Sequence, residues 1–237
     1  YAAMTRLGGS VIPINEVNYS SVTKGESLED TIRTLECYAD ALVLRHYDED
    51  ATERAVSVAS IPLINAGNGA GEHPTQALLD LYTISKERGG IDGLTVTLMG
   101  DLKHGRTVHS LVKLLRMYDV KVNFVSPQEL SMPSSYLMSG DSEYLDLDPI
   151  IEDTDILYVT RVQRERLADT MVIDFSYAVT RDDMDRAKNN MVLMHPLPRV
   201  GEIPPELDSD PRAAYFRQMK YGLHVRMALL VSMIGRD

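Results

Sequence analysis

In this chain of 237 residues, arginines and histidines recur directly after short apolar runs. Arg45 and His46 follow the run 41–44. The run 62–64 leads into Asn65-Ala-Gly-Asn-Gly-Ala-Gly-Glu-His73-Pro74-Thr75-Gln76, a loop that feeds a helical stretch. Residues 94–99 open into Gly100-Asp101-Leu102-Lys103-His104-Gly105-Arg106-Thr107, again at a helix start. Arg161-Val162-Gln163 follows 155–160, and His195-Pro196-Leu197-Pro198-Arg199 follows 191–194. Five strand ends thus carry Arg or His, although the chain as a whole has 24 Lys plus Arg against 35 Asp plus Glu, a formal charge of −11. Local positive charge in an acidic protein focuses anionic ligands. Helix N-termini add free backbone N–H groups and about half a positive charge each. The chemistry expected is binding of at least two anionic groups.

Each of these residues also has a plainer use. Arg45 and Arg106 can pair with surface carboxylates, and Gln76 can close a capping box behind Pro74. His195 before two prolines can serve to rigidify a turn, with a cis peptide. Lys24 reads as a solvated loop lysine, Asp101 with Lys103 as a local ion pair, and Cys37 as a buried residue on a helix. It is the joint pattern that points to a ligand.

Other chemistries are excluded. No Gly-x-Gly-x-x-Gly follows a strand, and Gly100…Gly105 is followed by Arg106 rather than Lys-Ser/Thr, so neither a dinucleotide fingerprint nor a Walker loop is present. The histidines lack metal-ligand spacing, and no Gly-x-Ser-x-Gly elbow occurs. A single cysteine forbids an internal disulfide. There is no basic run for nucleic acid and no apolar run of the ~18–20 residues that span a bilayer. The chain begins at Tyr1, not Met, without a signal-peptide pattern, and reads as lacking the start of its natural polypeptide.

Positioning these residues requires a repeated strand–helix frame. Apolar runs at 11–14, 41–44, 62–64, 94–99, 121–125, 155–160 and 191–194 alternate with amphipathic stretches at 27–39, 51–59, 75–87, 107–117 and 213–234. That alternation predicts an α/β fold with parallel sheets, its continuously apolar strands covered on both faces. With three strand–helix units before Arg88-Gly89-Gly90 and about four strands after it, two small α/β domains are expected. Ligands of such sheets bind beyond the carboxyl ends of the strands.

Taken in order, Arg6-Leu-Gly-Gly, Lys24-Gly-Glu, Arg45-His46, His73-Pro-Thr-Gln76, Gly100-Asp-Leu-Lys-His-Gly-Arg-Thr-Val-His109, Thr160-Arg-Val-Gln163, His195-Pro-Leu-Pro-Arg199 and Asp208-Ser-Asp-Pro-Arg-Ala-Ala-Tyr-Phe-Arg-Gln218 resemble the catalytic chains of the aspartate carbamoyltransferase family. The resemblance spans nearly the whole chain. It implies two small parallel-sheet α/β domains of the aspartate/ornithine carbamoyltransferase type. Residues 1–74 with 222–237 would be the carbamoyl-phosphate domain and 75–221 the aspartate domain. It also implies a cytoplasmic homotrimer with shared sites, acting in pyrimidine biosynthesis without metal or organic cofactor.

By the same resemblance, Ser20, Arg45, His73, Gln76 and the backbone of Leu197 and Pro198 hold carbamoyl phosphate. Lys24, Arg106, Arg161 and Gln163 hold aspartate, and Arg45, His73 and Lys24 are catalytic. Ser20 and Lys24 would reach into a neighbouring subunit's site. The family's Ser-Thr-Arg-Thr phosphate motif has no copy here. Loss of an oxyanion donor costs ~10²–10³ in rate, so the chain as it stands is expected to be inactive or very weak. The stretches near 136–145 and 167–178 also read as short. Two alternatives accompany this reading: a transcarbamoylase with another amine acceptor, and a non-catalytic transcarbamoylase-like scaffold or regulatory subunit.

Overall fold

The computed structural model describes residues 1–14, 25–69, 71–162 and 177–235. These divide into two compact units, Tyr1–Thr75 with Gly222–Asp237, and Gln76–Tyr221. Among the described residues no helix is long and apolar enough to cross a membrane.

In the first unit, strands β1 (Leu42–His46) and β2 (Leu63–Asn68) pair in parallel, Leu42 opposite Leu63, with the register shifting between Leu44 and His46. Helices α1 (Ala2–Arg6), α2 (Leu28–Leu35) and α3 (Ala51–Val58) belong to the same unit. Helix α2 starts at Ser27, whose hydroxyl accepts the Asp30 N–H, and Glu29 and Asp30 sit at its positive end. Ile32, Leu42 and Ala55 form one core cluster, and Ala3, Ile64 and Leu230 another.

Two expectations fail in this unit. Residues 11–14 are not a strand, and Ile12 and Ile14 are exposed. An apolar run becomes a strand only when a neighbour takes its backbone hydrogen bonds, and no described residue does so. Two strands, not three, therefore precede Arg88 among the described residues. Cys37 is exposed. The helix ends at Leu35, and the following amides reach back only three residues, Cys37 N–H to Thr34 and Tyr38 N–H to Leu35. That tighter turn rotates Cys37 off the apolar face.

The second unit is built on strands β3 (Thr95–Met99), β4 (Lys121–Val125), β5 (Ser142–Tyr144), β6 (Ile156–Val159) and β7 (Val192–Met194). They lie in the order β5-β4-β3-β6-β7, every pair parallel. Val96, Leu98, Phe124, Ile156 and Tyr158 pack into one cluster with Ile84 and Leu111. Met99, Val125, Leu157 and Val159 pack into a second with Met184, Leu207 and Tyr215. Alternate residues of one strand thus enter opposite cores, which explains why these strands read as unbroken apolar runs. Strand β5 escaped the sequence reading because Ser-Glu-Tyr is a short, mostly polar edge.

Helices α4 (Pro74–Arg88), α5 (Arg106–Leu115), α6 (Arg181–Arg186) and α7 (Tyr215–Ile234) complete the fold, and the division between the units falls within α4 and α7. By compactness the division lies between Thr75 and Gln76 and between Tyr221 and Gly222.

Candidate active site

The strand order places a switch point in the second unit. From β3 the chain proceeds outward through β4 and β5, and it returns on the other side of β3 as β6 and then β7. Where successive connections leave in opposite directions, a crevice opens at the carboxyl ends of the two central strands. The segments that emerge there are Gly100–Arg106 from β3 and Thr160–Arg161 from β6.

These two segments begin in close contact. Gly100 has φ +121°, and a Cβ on it would lie 2.1 Å from the Thr160 carbonyl oxygen. The Gly100 N–H donates to Val125 and the Thr160 N–H to Met99, so both loops stay registered to the sheet. Beyond Gly100 the chain wraps around the fully buried Asp101, whose Oδ1 accepts the His104 N–H at 2.9 Å and faces the His104 Nδ1 at 3.1 Å. The Asp101 partner identified here is thus His104, in place of the expected Lys103. The buried ring of His109 reaches the Leu102 carbonyl with Nε2 at 2.7 Å and stacks on Tyr136 at 4.3 Å. This braced loop delivers Arg106 as the first residue of α5, half-buried, while Arg161 leaves the adjacent strand, also half-buried. Two guanidinium groups at neighbouring strand ends suit a ligand with two carboxylates.

The segment after β7 is organised differently from the expectation of free cations. His195 is fully buried. Its Nδ1 accepts the Leu197 N–H at 2.8 Å, so Nε2 carries the proton and donates to Glu202 Oε1 at 2.7 Å. Burial works to raise the Glu202 carboxyl, but the His195 hydrogen bond and the backbone N–H groups outweigh it and hold it below the ordinary carboxylate range. Between these anchors Leu197 sits at φ +55°, and the Leu197–Pro198 peptide is cis. A leucine in the left-handed region persists only where its surroundings dictate it. Arg199 is turned away from ligand duty. It pairs with Asp208, one contact being 2.7 Å, and lies over the ring of Tyr215 at 5.1 Å. Arg199 and the Tyr215 hydroxyl hold the Asp208 carboxyl down at about 2. His195 and Arg199 therefore serve the loop's shape, and what the loop can offer a ligand is backbone.

In the first unit, Arg45 lies on β1, exposed, with no side-chain hydrogen bond or ion pair to any described residue. Among the described residues the ion-paired role open to it in the sequence is not used. His73 stands directly before α4, at the end of a loop shaped by two asparagines: Asn65 Oδ1 accepts the Gly67 N–H at 2.7 Å, and Asn68 Oδ1 the Glu72 N–H at 3.0 Å. Ser20, Lys24 and Gln163 lie outside the described residues.

Gln76, in the second unit, is buried and does not cap α4; its Nε2 donates to Asp80 Oδ1 one turn further on, at 2.8 Å. The sequence reading missed Asp80, Tyr158, Glu202 and Gln218. The available signal was an aspartate inside the apolar stretch Ala77-Leu-Leu-Asp-Leu81, four residues after Gln76.

A cavity of about 240 Å³ in the second unit is lined by Met99, Tyr177 and four aspartates, Asp146, Asp148, Asp182 and Asp183. Its negative walls oppose the ligands that the arginines attract, so we place the site at the strand ends. No cluster of three or more His, Cys, Asp or Glu able to hold a metal ion occurs among the described residues.

Comparison with known proteins bears directly on this geometry. The carbamoyl-P binding domain of aspartate/ornithine carbamoyltransferases matches residues 1–86, and the Asp/Orn binding domain matches 92–233. The aspartate carbamoyltransferase catalytic subunit of Thermoplasma acidophilum is 52% identical over 99% of this chain and 79% of its own length. A multifunctional protein of Dictyostelium discoideum is 54% identical over 99% of this chain, which spans only 11% of that much longer protein. A crystal structure of Trypanosoma cruzi aspartate transcarbamoylase in complex with carbamoyl phosphate and aspartate superimposes with a TM-score of 0.90. It shares 48% identity over 98% of this chain and 77% of its own. With both halves matched and half of all residues identical to such relatives, the chain belongs to the aspartate/ornithine carbamoyltransferase family.

Proposed function

We propose that this chain transfers the carbamoyl group of carbamoyl phosphate to the amine of L-aspartate, giving N-carbamoyl-L-aspartate and phosphate for pyrimidine biosynthesis. The observation that carries the choice of aspartate is the pair Arg106 and Arg161 at the β3/β6 switch point, a match for a dicarboxylate. The catalytic subunits among its relatives are named for the same acceptor.

In this reading Ser20, Arg45, His73, Gln76 and the backbone of Leu197 and Pro198 bind carbamoyl phosphate; Lys24, Arg106, Arg161 and Gln163 bind aspartate. The aspartate amine attacks the carbamoyl carbon and forms a C–N bond. The carbonyl oxygen becomes an oxyanion, and the bond to the phosphate oxygen then breaks. Arg45 and His73, with Lys24, donate where negative charge grows, the position at which donors accelerate most. The departing phosphate dianion takes the amine proton, so no protein base is consumed. Fixing two reactants in one geometry supplies much of the rest. The domain roles are assigned likewise, carbamoyl phosphate to 1–74 with 222–237 and aspartate to 75–221. A cytoplasmic homotrimer completes the reading, and a solution mass of three chains by light scattering checks the assembly.

The test is mass spectrometry of products after incubation with carbamoyl phosphate and either aspartate or ornithine. Carbamoyl-aspartate with turnover is expected from a polypeptide that also carries a Ser-Thr-Arg-Thr phosphate motif, and little or none from residues 1–237 by themselves. Carbamoylation of ornithine in its place overturns the assignment.

A further inference from the structure

Four polar side chains buried in the second unit, those of Gln76, Asp80, Tyr158 and Gln218, form one connected set. Asp80, fully buried on α4, accepts from three side chains: Gln76 Nε2 on Oδ1 at 2.8 Å, Gln218 Nε2 on Oδ1 at 2.6 Å, and the Tyr158 hydroxyl on Oδ2 at 2.8 Å. Gln218 and Tyr158 are themselves fully buried, on α7 and β6. On its other side Gln218 accepts the His195 backbone N–H with Oε1 at 3.1 Å. His195 in turn holds the Leu197 N–H.

The polarity of this chain follows from its ends. A backbone N–H can only donate, so the oxygen of Gln218 must face His195 and its NH₂ must face Asp80. Asp80 Oδ1 is then an acceptor, and the Gln76 amide must turn its NH₂ toward it as well. With its NH₂ committed, the Gln76 carboxamide retains a carbonyl oxygen for a ligand. Leu197 and Pro198, which the same chain steadies, offer carbonyl oxygens too. Carbamoyl phosphate differs from other acyl phosphates in having an NH₂, a group that needs acceptors.

We propose that Asp80 is a positioning residue for carbamoyl transfer: its buried carboxylate fixes the Gln76 carboxamide and the Leu197–Pro198 turn together, so that both present acceptors to the carbamoyl NH₂. The inference rests on the proposed function. Asp80 does not touch the substrate; it sets the direction of the groups that do. A buried acceptor serving two amides is costly to remove because both donors are stranded.

The experiment compares Asp80→Ala and Asp80→Asn with the unsubstituted full-length protein. It measures kcat, KM for each substrate, and binding of phosphonoacetamide, the isostere with CH₂ in place of the bridging oxygen. Asp80→Ala should raise the carbamoyl-phosphate KM at least ~10-fold and weaken phosphonoacetamide binding similarly, with the aspartate KM within about 2-fold, since three hydrogen bonds are lost, two of them to the glutamine amides. Asp80→Asn should recover to within ~3-fold. Its oxygen can still accept from both glutamines while its NH₂ donates to the Tyr158 oxygen. If Asp80→Ala does not fold, Tyr158→Phe, which loses one hydroxyl, should raise the carbamoyl-phosphate KM about 3-fold.

Unchanged constants in the folded variants overturn the inference. Equal damage to both substrates without rescue by asparagine also overturns it, leaving a structural role only. If the unsubstituted protein neither makes carbamoyl-aspartate nor binds phosphonoacetamide, the transfer reading falls and the inference with it. Turnover in the unsubstituted protein, with Asp80→Ala unaffected, overturns the inference alone.

Discussion

The contact between Gly100 and Thr160 joins the two central strands at the point where the candidate site opens, and a single methyl group tests it. Gly100→Ala places Cβ 2.1 Å from the Thr160 carbonyl oxygen, a backbone atom between two buried strands with no flexible end to swing aside. It also forces an L-residue to φ +121°. Gly93→Ala is the control: its φ is +78°, with nothing within 4 Å of the added carbon. The control meets the conformational cost alone, ~1–2 kcal/mol. Gly100→Ala adds overpacking of ~1–3 kcal/mol, for a total of about 2–5 kcal/mol. For a chain of this size each kcal/mol lowers Tm by ~2–4 °C, so the control should melt a few degrees early and Gly100→Ala roughly 10 °C early. Urea unfolding followed by circular dichroism gives both values on one scale. Because Arg106 and Arg161 leave these same strands, Gly100→Ala should also raise the aspartate KM, whereas Gly93→Ala should not. Equal destabilisation by the two substitutions, within about 0.5 kcal/mol, would refute the close approach of the loops.

Two other outcomes follow from the site and its supports. Arg106→Ala or Arg161→Ala should raise the aspartate KM ~100-fold or more and leave the carbamoyl-phosphate KM nearly unchanged, as steady-state kinetics with each substrate varied will read; equal damage to both sinks the aspartate assignment. The Asp208 carboxyl lies at about 2 in the folded chain, below its ordinary value of 3.8. Its stabilising effect is thus complete above pH 4 and is lost as pH falls toward 2. The carboxylate is partly exposed, so screening limits the effect to under ~1 kcal/mol. Melting curves of the unsubstituted chain and Asp208→Asn should stay apart above pH 4 and converge near pH 2, and a gap that persists at pH 2 contradicts the Arg199 pairing.

What the sequence determined by itself is local. The apolar runs at 94–99, 121–125, 155–160 and 191–194 are strands, since a run buried on both faces has one stable backbone form. The helix after Pro74 and the helix at Arg106 begin where the chain chemistry put them. The residue types at the strand ends already pointed to anions, and the order of the motifs pointed to the family. Failures were of one kind: residues 11–14 needed a partner strand, Cys37 needed a longer helix, and β5 had too little apolar character to show.

Only the tertiary structure decided which strand ends adjoin. Strand order is a property of non-local pairing, and nothing in the run of residues says that β6 returns beside β3 to place Arg161 next to the loop that carries Arg106. It also decided that His195 and Arg199, cations in the sequence, are used up in shaping a turn. The buried chain through Asp80 joins residues 78 and 138 positions apart, at Tyr158 and Gln218. A polar group inside an apolar core must find its partner wherever folding brings one, and that partner lies beyond the reach of any local pattern.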